Sequence, residues 1–254
     1  MPDSVAKHIR DIQHTNSDFD VQVWSPTRAR ALLLAQYPNF MALYDGFPYA
    51  IQRSDFSRYA ILHAYGGVYM DLDYSLNVPL KAIFAHLDAD SALGRCSAFV
   101  NETPNNMLFT RALSNSFMMS RAPNHPFWMS VMCAASNGTG ILAHQRVMNG
   151  TGPSLITNTY DVYNRTHNTG DGVVGVLPKR QFNPCSVCER GTTCRTRAGV
   201  LACHNSSGAW NGDDTKAINV LHCNAGWIST VVILSVVCIT FIALYAATFS
   251  RRRE

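Results

Sequence analysis

Apolar and polar positions alternate over Phe19–Trp24, FDVQVW, which predicts a half-buried strand. Ser25-Pro26 then reads as an N-cap followed by proline at the first helical position, opening a helix over Thr27–Gln36. A second helix is predicted from about Ile51 to Tyr65. Gly66-Gly67 ends it, because glycine takes the left-handed conformation of a helix cap at little cost. Val68–Leu72 follows as a short apolar strand that breaks into polar sequence at Asp73. Helix, glycine turn, strand and then acids at the strand's carboxyl end make an α/β arrangement. In open α/β sheets, ligands bind beyond those carboxyl ends. No internal repeat or low-complexity segment interrupts this reading.

The hydrophobic pattern changes near the C-terminus. Trp227–Phe249 carries no charged residue over 23 positions, enough at about 1.5 Å per residue to cross a hydrocarbon core of roughly 30 Å. Trp227 opens the run, and Arg251, Arg252 and Arg253 close it, where interfacial anchors belong. The expected organisation is a domain over 1–216, ending in the polar stretch Asn211–Lys216. A hinge over 217–226, a transmembrane helix over 227–249 and a basic tail over 250–254 complete it.

Composition adds little to this. The net charge of +4 includes the three tail arginines, and no basic stripe interleaved with aromatics occurs elsewhere, so nucleic acid is a poor partner. The positive-inside rule places the tail in the cytosol and the domain in an ER- or Golgi-type lumen. Sequons at Asn101, Asn137, Asn149, Asn164 and Asn205 fit a lumen, whereas the N-terminus offers no apolar signal stretch. Cys185, Cys188, Cys194 and Cys203 are followed directly by His204. Disulfides, a zinc site and free thiols are all open for them.

The chemistry concentrates at Asp71-Leu72-Asp73. Strand alternation is expected to aim both carboxylates the same way and turn Leu72 into the core. Two such carboxylates suit a Mg²⁺ or Mn²⁺ whose shell is completed by diphosphate oxygens and water. Alone the pair is weak evidence, since a solvated strand end looks the same. Its surroundings are specific. Tyr44–Asp73, YDGFPYAIQRSDFSRYAILHAYGGVYMDLD, resembles the DXD sugar-binding region of one glycosyltransferase family. That family includes the inositol-phosphoceramide mannosyltransferases and the initiating α-1,6-mannosyltransferases of fungal outer chains. The resemblance rests on Arg53, Asp55, Arg58, Tyr59, Tyr65, Gly66, Gly67, Tyr69, Asp71 and Asp73.

The resemblance implies a GT-A-like nucleotide-sugar-binding domain whose first strand is in question, because family members carry an Ile-Pro-Lys-x-Ile-His-Gln strand ahead of the equivalent of Met1. It implies Asp71, Asp73 and Arg58 as the catalytic group, and Asp55, Arg58, Tyr69 and Trp210 as donor-binding residues. Asp71, Asp73 and His204 are the implied ligands of Mn²⁺ or Mg²⁺. His125, in the segment NSFMMSRAPNHPFW, and Thr151-Gly152-Pro153 match further family elements; the first can equally be a structural turn histidine and the second a plain β-turn. Ala209 stands where the family usually has serine. The implied activity moves a hexose from a nucleotide sugar, GDP-mannose foremost, to a lipid or glycan acceptor with retention of configuration. The alternative is a non-catalytic, membrane-tethered binding protein on the same scaffold.

Overall fold

A computed structural model of the chain describes residues 3–104, 112–189, 194–205, 212–227 and 235. The chain forms two units, 1–210 and 211–254. In the first unit the order is α1 (Asp3–Thr15), α2 (Pro26–Gln36), α3 (Met41–Gly46), α4 (Ala50–Tyr65), β1 (Gly67–Met70), β2 (Tyr74–Leu76), α5 (Leu80–Ala89), β3 (Ala98–Glu102) and β4 (Leu113–Ser120). There follow α6 (Pro126–Ala134), α7 (Ala143–Gly150), α8 (Pro153–Tyr163), β5 (Val174–Leu177), α9 (Lys179–Phe182) and β6 (Ala202–His204). In the second, α10 spans Asp213–Cys223.

The central sheet runs β1-β4-β3-β5, and a second, two-stranded sheet pairs β2 with β6. β4 is antiparallel to both its neighbours, while β3 and β5 are parallel. Successive side chains of a strand face opposite ways, and the core follows this rule. Ala98 and Val100 join the apolar cluster of α2, α4, α6 and α8, whereas Phe99 between them joins that of α5, α9 and β6. All eight residues of β4 are buried, as a central strand covered on both faces requires. This is the mixed α/β architecture expected of a GT-A-like domain.

Several expected elements are in place. Ser25 caps α2, its hydroxyl accepting from the Arg28 amide at 3.2 Å. α4 ends at Gly66, whose φ is +69°, and a Cβ there would fall 2.9 Å from the Ala122 carbonyl carbon. Two expectations need correction. Phe19–Trp24 is not a strand: its rings pack on side chains instead, Phe19 stacked on Phe84 and Trp24 tilted against Tyr65. The β1 strand stops at Met70, directly before the acids. Part of the stretch expected as a hinge is helical, within Asp213–Cys223, with Asp213 and Asp214 in the first turn where the helix dipole favours acids.

No helix among the described residues is long and apolar enough to cross a membrane. The expected span over 227–249 lies, apart from Trp227 and Ser235, outside the described residues. Of the sequons, Asn101 is fully buried in β3, so that triplet belongs to the packing of the sheet.

Candidate active site

Asp71, Leu72 and Asp73 form the tight turn between β1 and β2, closed by the Tyr74 amide donating to the Asp71 carbonyl at 2.9 Å. Strand alternation therefore does not orient them, and Leu72 is 56% exposed rather than in the core. The turn nonetheless brings the carboxylates together. β2 pairs with β6 so that Tyr74 lies opposite His204, and the two rings stack with centroids 5.2 Å apart. The Asn205 amide donates to the Asp73 carbonyl at 2.9 Å, which fixes the end of β6 against the turn. His204 is thereby delivered to Asp73 across 131 positions, with Nε2 3.0 Å from Oδ1.

One ligand atom each from Asp71, Asp73 and His204 lie within 4.8 Å of one another. Two carboxylates and an imidazole are a donor set that Mn²⁺ and Mg²⁺ accept. The residues fit a hard divalent cation. The zinc alternative loses its donors: Cys185 is joined to Cys194, Cys188 is also disulfide-bonded, and Cys203 is a buried thiol.

Beside this trio lies a buried charge network. Asp55 and Arg58 are 4% and 3% exposed and, being three apart on α4, form an ion pair of 2.9 Å. Arg58 also reaches Asp71, Nη1 to Oδ1 at 3.0 Å, and donates to the Asn115 carbonyl at 2.8 Å. Tyr69 donates its hydroxyl to the same Asp71 oxygen at 2.8 Å, and the Arg58 guanidinium lies 4.8 Å from the centre of its ring. Burial works against the Arg58 charge, but Asp71, Tyr69 and Asp55 prevail and its pKa is raised. For Asp55 burial wins, pushing it up to about 6 against the pull of Arg58 and the hydrogen bonds from Thr151 and Asn115. Burial likewise raises the phenols of Tyr59, Tyr69 and Tyr74, which stay protonated as donors.

Two residues of this network went unassigned as site residues in the sequence. Asn115 donates from Nδ2 to Asp55 Oδ1 at 3.0 Å and to the Tyr59 hydroxyl at 2.9 Å. Thr151 donates its hydroxyl to Asp55 Oδ2 at 3.0 Å, and its carbonyl accepts from the Tyr59 hydroxyl at 2.5 Å. Asn115 reaches the site because the register with β3 shifts between Val100 and Asn101, jumping on β4 from Met118 to Ser114. Such a bulge re-aims side chains and carbonyls: here the Asn115 carbonyl turns to Arg58 and the Ser116 carbonyl accepts from the Asp71 amide at 2.9 Å. Arg53 lies apart from the site, bonded to the Phe47 carbonyl. His125 is structural. Its Nδ1 accepts from the Phe127 amide as the N-cap of α6, and Nε2 meets the Ser97 hydroxyl at 2.9 Å. Trp210 lies outside the described residues.

Residues 2–90, which hold α4 and the acidic turn, match the family model described as the glycosyltransferase sugar-binding region containing a DXD motif. Over 115 residues the chain is 32% identical to inositol phosphoceramide mannosyltransferase 3 of Schizosaccharomyces pombe, covering 45% of this chain and 28% of that protein. It is 26% identical over 209 residues to mannosyl phosphorylinositol ceramide synthase SUR1 of Saccharomyces cerevisiae, covering 80% and 47%. A mimivirus protein, uncharacterized glycosyltransferase L373, is 25% identical over 214 residues, covering 83% and 78%. The chain thus spans less than half the length of these fungal relatives. No solved structure matches.

Proposed function

Through residues 2–90 the chain belongs to the glycosyltransferases with a DXD-containing sugar-binding region, and from that membership we propose that it transfers a hexosyl group, mannosyl foremost, from a nucleotide-sugar donor to a lipid or glycan acceptor. The observation that carries this reading is the meeting of the Asp71, Asp73 and His204 ligand atoms beside the buried Asp55–Arg58 pair. A divalent cation bound there supplies positive charge to a donor's diphosphate. The lipid acceptor is suggested by the fungal relatives, whose names join mannosyl transfer to inositol phosphoceramide. GDP-mannose is the first donor to test.

Breaking the anomeric C–O bond leaves positive charge on the sugar and puts negative charge on the diphosphate. Groups already aimed at that charge stabilise it with little reorganisation. Arg58 is fixed by Asp55, Asp71 and the Asn115 carbonyl, so its side chain needs no ordering when the leaving group develops charge. Asp71 Oδ1 is occupied by Arg58 and Tyr69; its other oxygen is the one to offer a cation. Asp55 works from beneath the site. Its carboxylate balances Arg58 and is itself held by three donors, which suits it to orient the arginine and the sugar-facing edge of α4.

The test is turnover of a panel of nucleotide sugars by the full chain in detergent, with and without Mn²⁺. Metal-dependent release of nucleoside diphosphate, reduced at least about a hundredfold by Asp71→Asn and Asp73→Asn, supports the transferase. Donor binding without turnover of any nucleotide sugar would favour the non-catalytic binding protein.

A further inference from the structure

The loop between α6 and α7 ends in an apolar tip that the site chemistry does not use. Ile141 is 93% exposed and Leu142 40%, side by side at the crest. Much of the backbone under them is paired within the chain. The Ile141 and Leu142 amides both donate to Gln145 Oε1, at 3.1 and 3.3 Å. The Gly140 carbonyl accepts from Arg146 Nε at 2.9 Å, and the Thr139 carbonyl from Asn149 Nδ2 at 3.1 Å. Two glycines allow this closure: Gly138 has φ +76° and a Cβ there would overlap the Arg146 carbonyl, while Gly140 has φ +134°.

The base of the loop is tied to the site. Gln52, one turn before Asp55 on α4, donates to the Asn137 carbonyl at 3.2 Å. At the far end α7 runs directly into Thr151, which holds Asp55. The tip is therefore rigidly referenced to the donor-binding helix.

We propose that Ile141 and Leu142 are a lipid-surface contact that seats the site over a membrane-borne acceptor. Three observations favour a bilayer over a protein partner. Two exposed side chains offer far less area than a stable protein interface needs, but suit shallow insertion among lipid headgroups. A crest entering lipid costs less when its backbone groups are paired within the chain, as the Ile141 and Leu142 amides and the Thr139, Gly140 and Leu142 carbonyls are here. Its charge suits anionic headgroups as well: no Asp or Glu occurs between Glu102 and Asp161, and Arg146 stands four and five residues beyond the tip. The assignment of a lipid acceptor rests on the function proposed above; contact with the bilayer does not.

Two measurements on the full chain separate these. First, Ile141→Trp is mixed with vesicles of phosphatidylcholine and phosphatidylserine brominated on their acyl chains, with Leu34→Trp on exposed α2 as control. Quenching of the added indole at 141, beyond the parent chain and the control, is expected; none at 141 overturns the contact. Second, Ile141→Ser with Leu142→Ser is expected to raise KM for a vesicle-borne inositol phospholipid acceptor about tenfold. Nucleotide-sugar hydrolysis should be unchanged. An equal loss with a soluble headgroup acceptor, or no change with the vesicle, overturns the seating role. Quenching at 141 in a chain that turns over no nucleotide sugar would retain the bilayer contact and reject the transferase. A glycan on Asn137, four residues from the tip, would also overturn the contact, since hydrated sugar there would hold the crest out of lipid.

Discussion

Asp55 is held by donors from three parts of the chain: Arg58 in α4, Asn115 in β4, and Thr151 between α7 and α8. Its ionised form opposes burial, and those partners offset part of the cost. The protonated acid would release Arg58, so donor affinity should rise with pH through about 6, where Asp55 ionises. Thr151→Val keeps the shape and deletes one donor. It should move that midpoint upward, because one of the bonds favouring the charged form is gone, and destabilise the fold by about 1–3 kcal/mol. Donor titrations across pH 5–8 and a denaturant midpoint check both parts; an unmoved midpoint would show that Asp55 does not set the acid limb. Asp55 and Arg58 entered the sequence reading through the family resemblance, and i,i+3 spacing on one helical face is why they pair. Thr151 entered only as part of a family turn. Its contact with Asp55 spans 96 positions, and no periodicity encodes a contact at that range. Asn115 was hidden for another reason: a strand reading aims it by alternation, and the bulge overrides alternation.

At the scale of elements, the corner between α4 and β1 sets the distance from Asp55 and Arg58 to Asp71. Gly66-Gly67 marked that corner in the sequence, and the structure adds why glycine is needed: positive φ at both residues and close approach of the Ala122 backbone to Gly66. Gly66→Ala should destabilise by about 1–3 kcal/mol and weaken donor binding together with it, read by thermal melts and donor titration. The acidic turn was misread at this scale. The Val68–Leu72 pattern is apolar enough for a strand, but the Tyr74 amide closes back on Asp71, and β2 begins a second sheet. His125 shows the converse, a residue with a family match whose element-level duty is to cap α6. Burial lowers its pKa to about 4, below the ordinary value near 6.5. A folded-state pKa depressed in this way gives stability that is fully present above about 6.5 and lost as pH falls toward 4. Protonation puts a hydrogen on Nδ1, the atom that accepts from the Phe127 amide. Wild type should therefore lose more melting temperature between pH 6.5 and 4 than His125→Asn, in which asparagine can still cap. Parallel pH curves for the two would remove His125 from the acid sensitivity of the fold.

For the molecule as a whole, the proposed cation ligands lie far apart in sequence, Asp73 and His204 being separated by 131 positions. Asp71 and Asp73 close the β1–β2 turn, and His204 arrives on β6 after nearly all the other described strands and helices of the first unit. That distance explains why the α/β class and the acidic pair could be read from local pattern while the third ligand came only from family resemblance: the β2–β6 pairing and the Tyr74–His204 stack exist only in the fold. It also makes cation binding a probe of global structure. An ion that grips both the turn and β6 binds the folded chain and not the unfolded one, so it should raise stability by RT ln(1 + [L]/Kd), about 2.7 kcal/mol at a hundredfold excess over Kd. Mn²⁺ should accordingly raise the melting temperature in a saturable way, and EDTA should reverse it. His204→Ala should weaken the effect about tenfold to a hundredfold in Mn²⁺ concentration, by loss of one ligand, while leaving the melt without metal lowered only modestly, since the β2–β6 pairing is held by backbone bonds. Asp71→Asn with Asp73→Asn should abolish the shift. If His204→Ala shifts with Mn²⁺ as wild type does, β6 contributes no ligand, and the ion, where it binds, is held by the acidic turn alone.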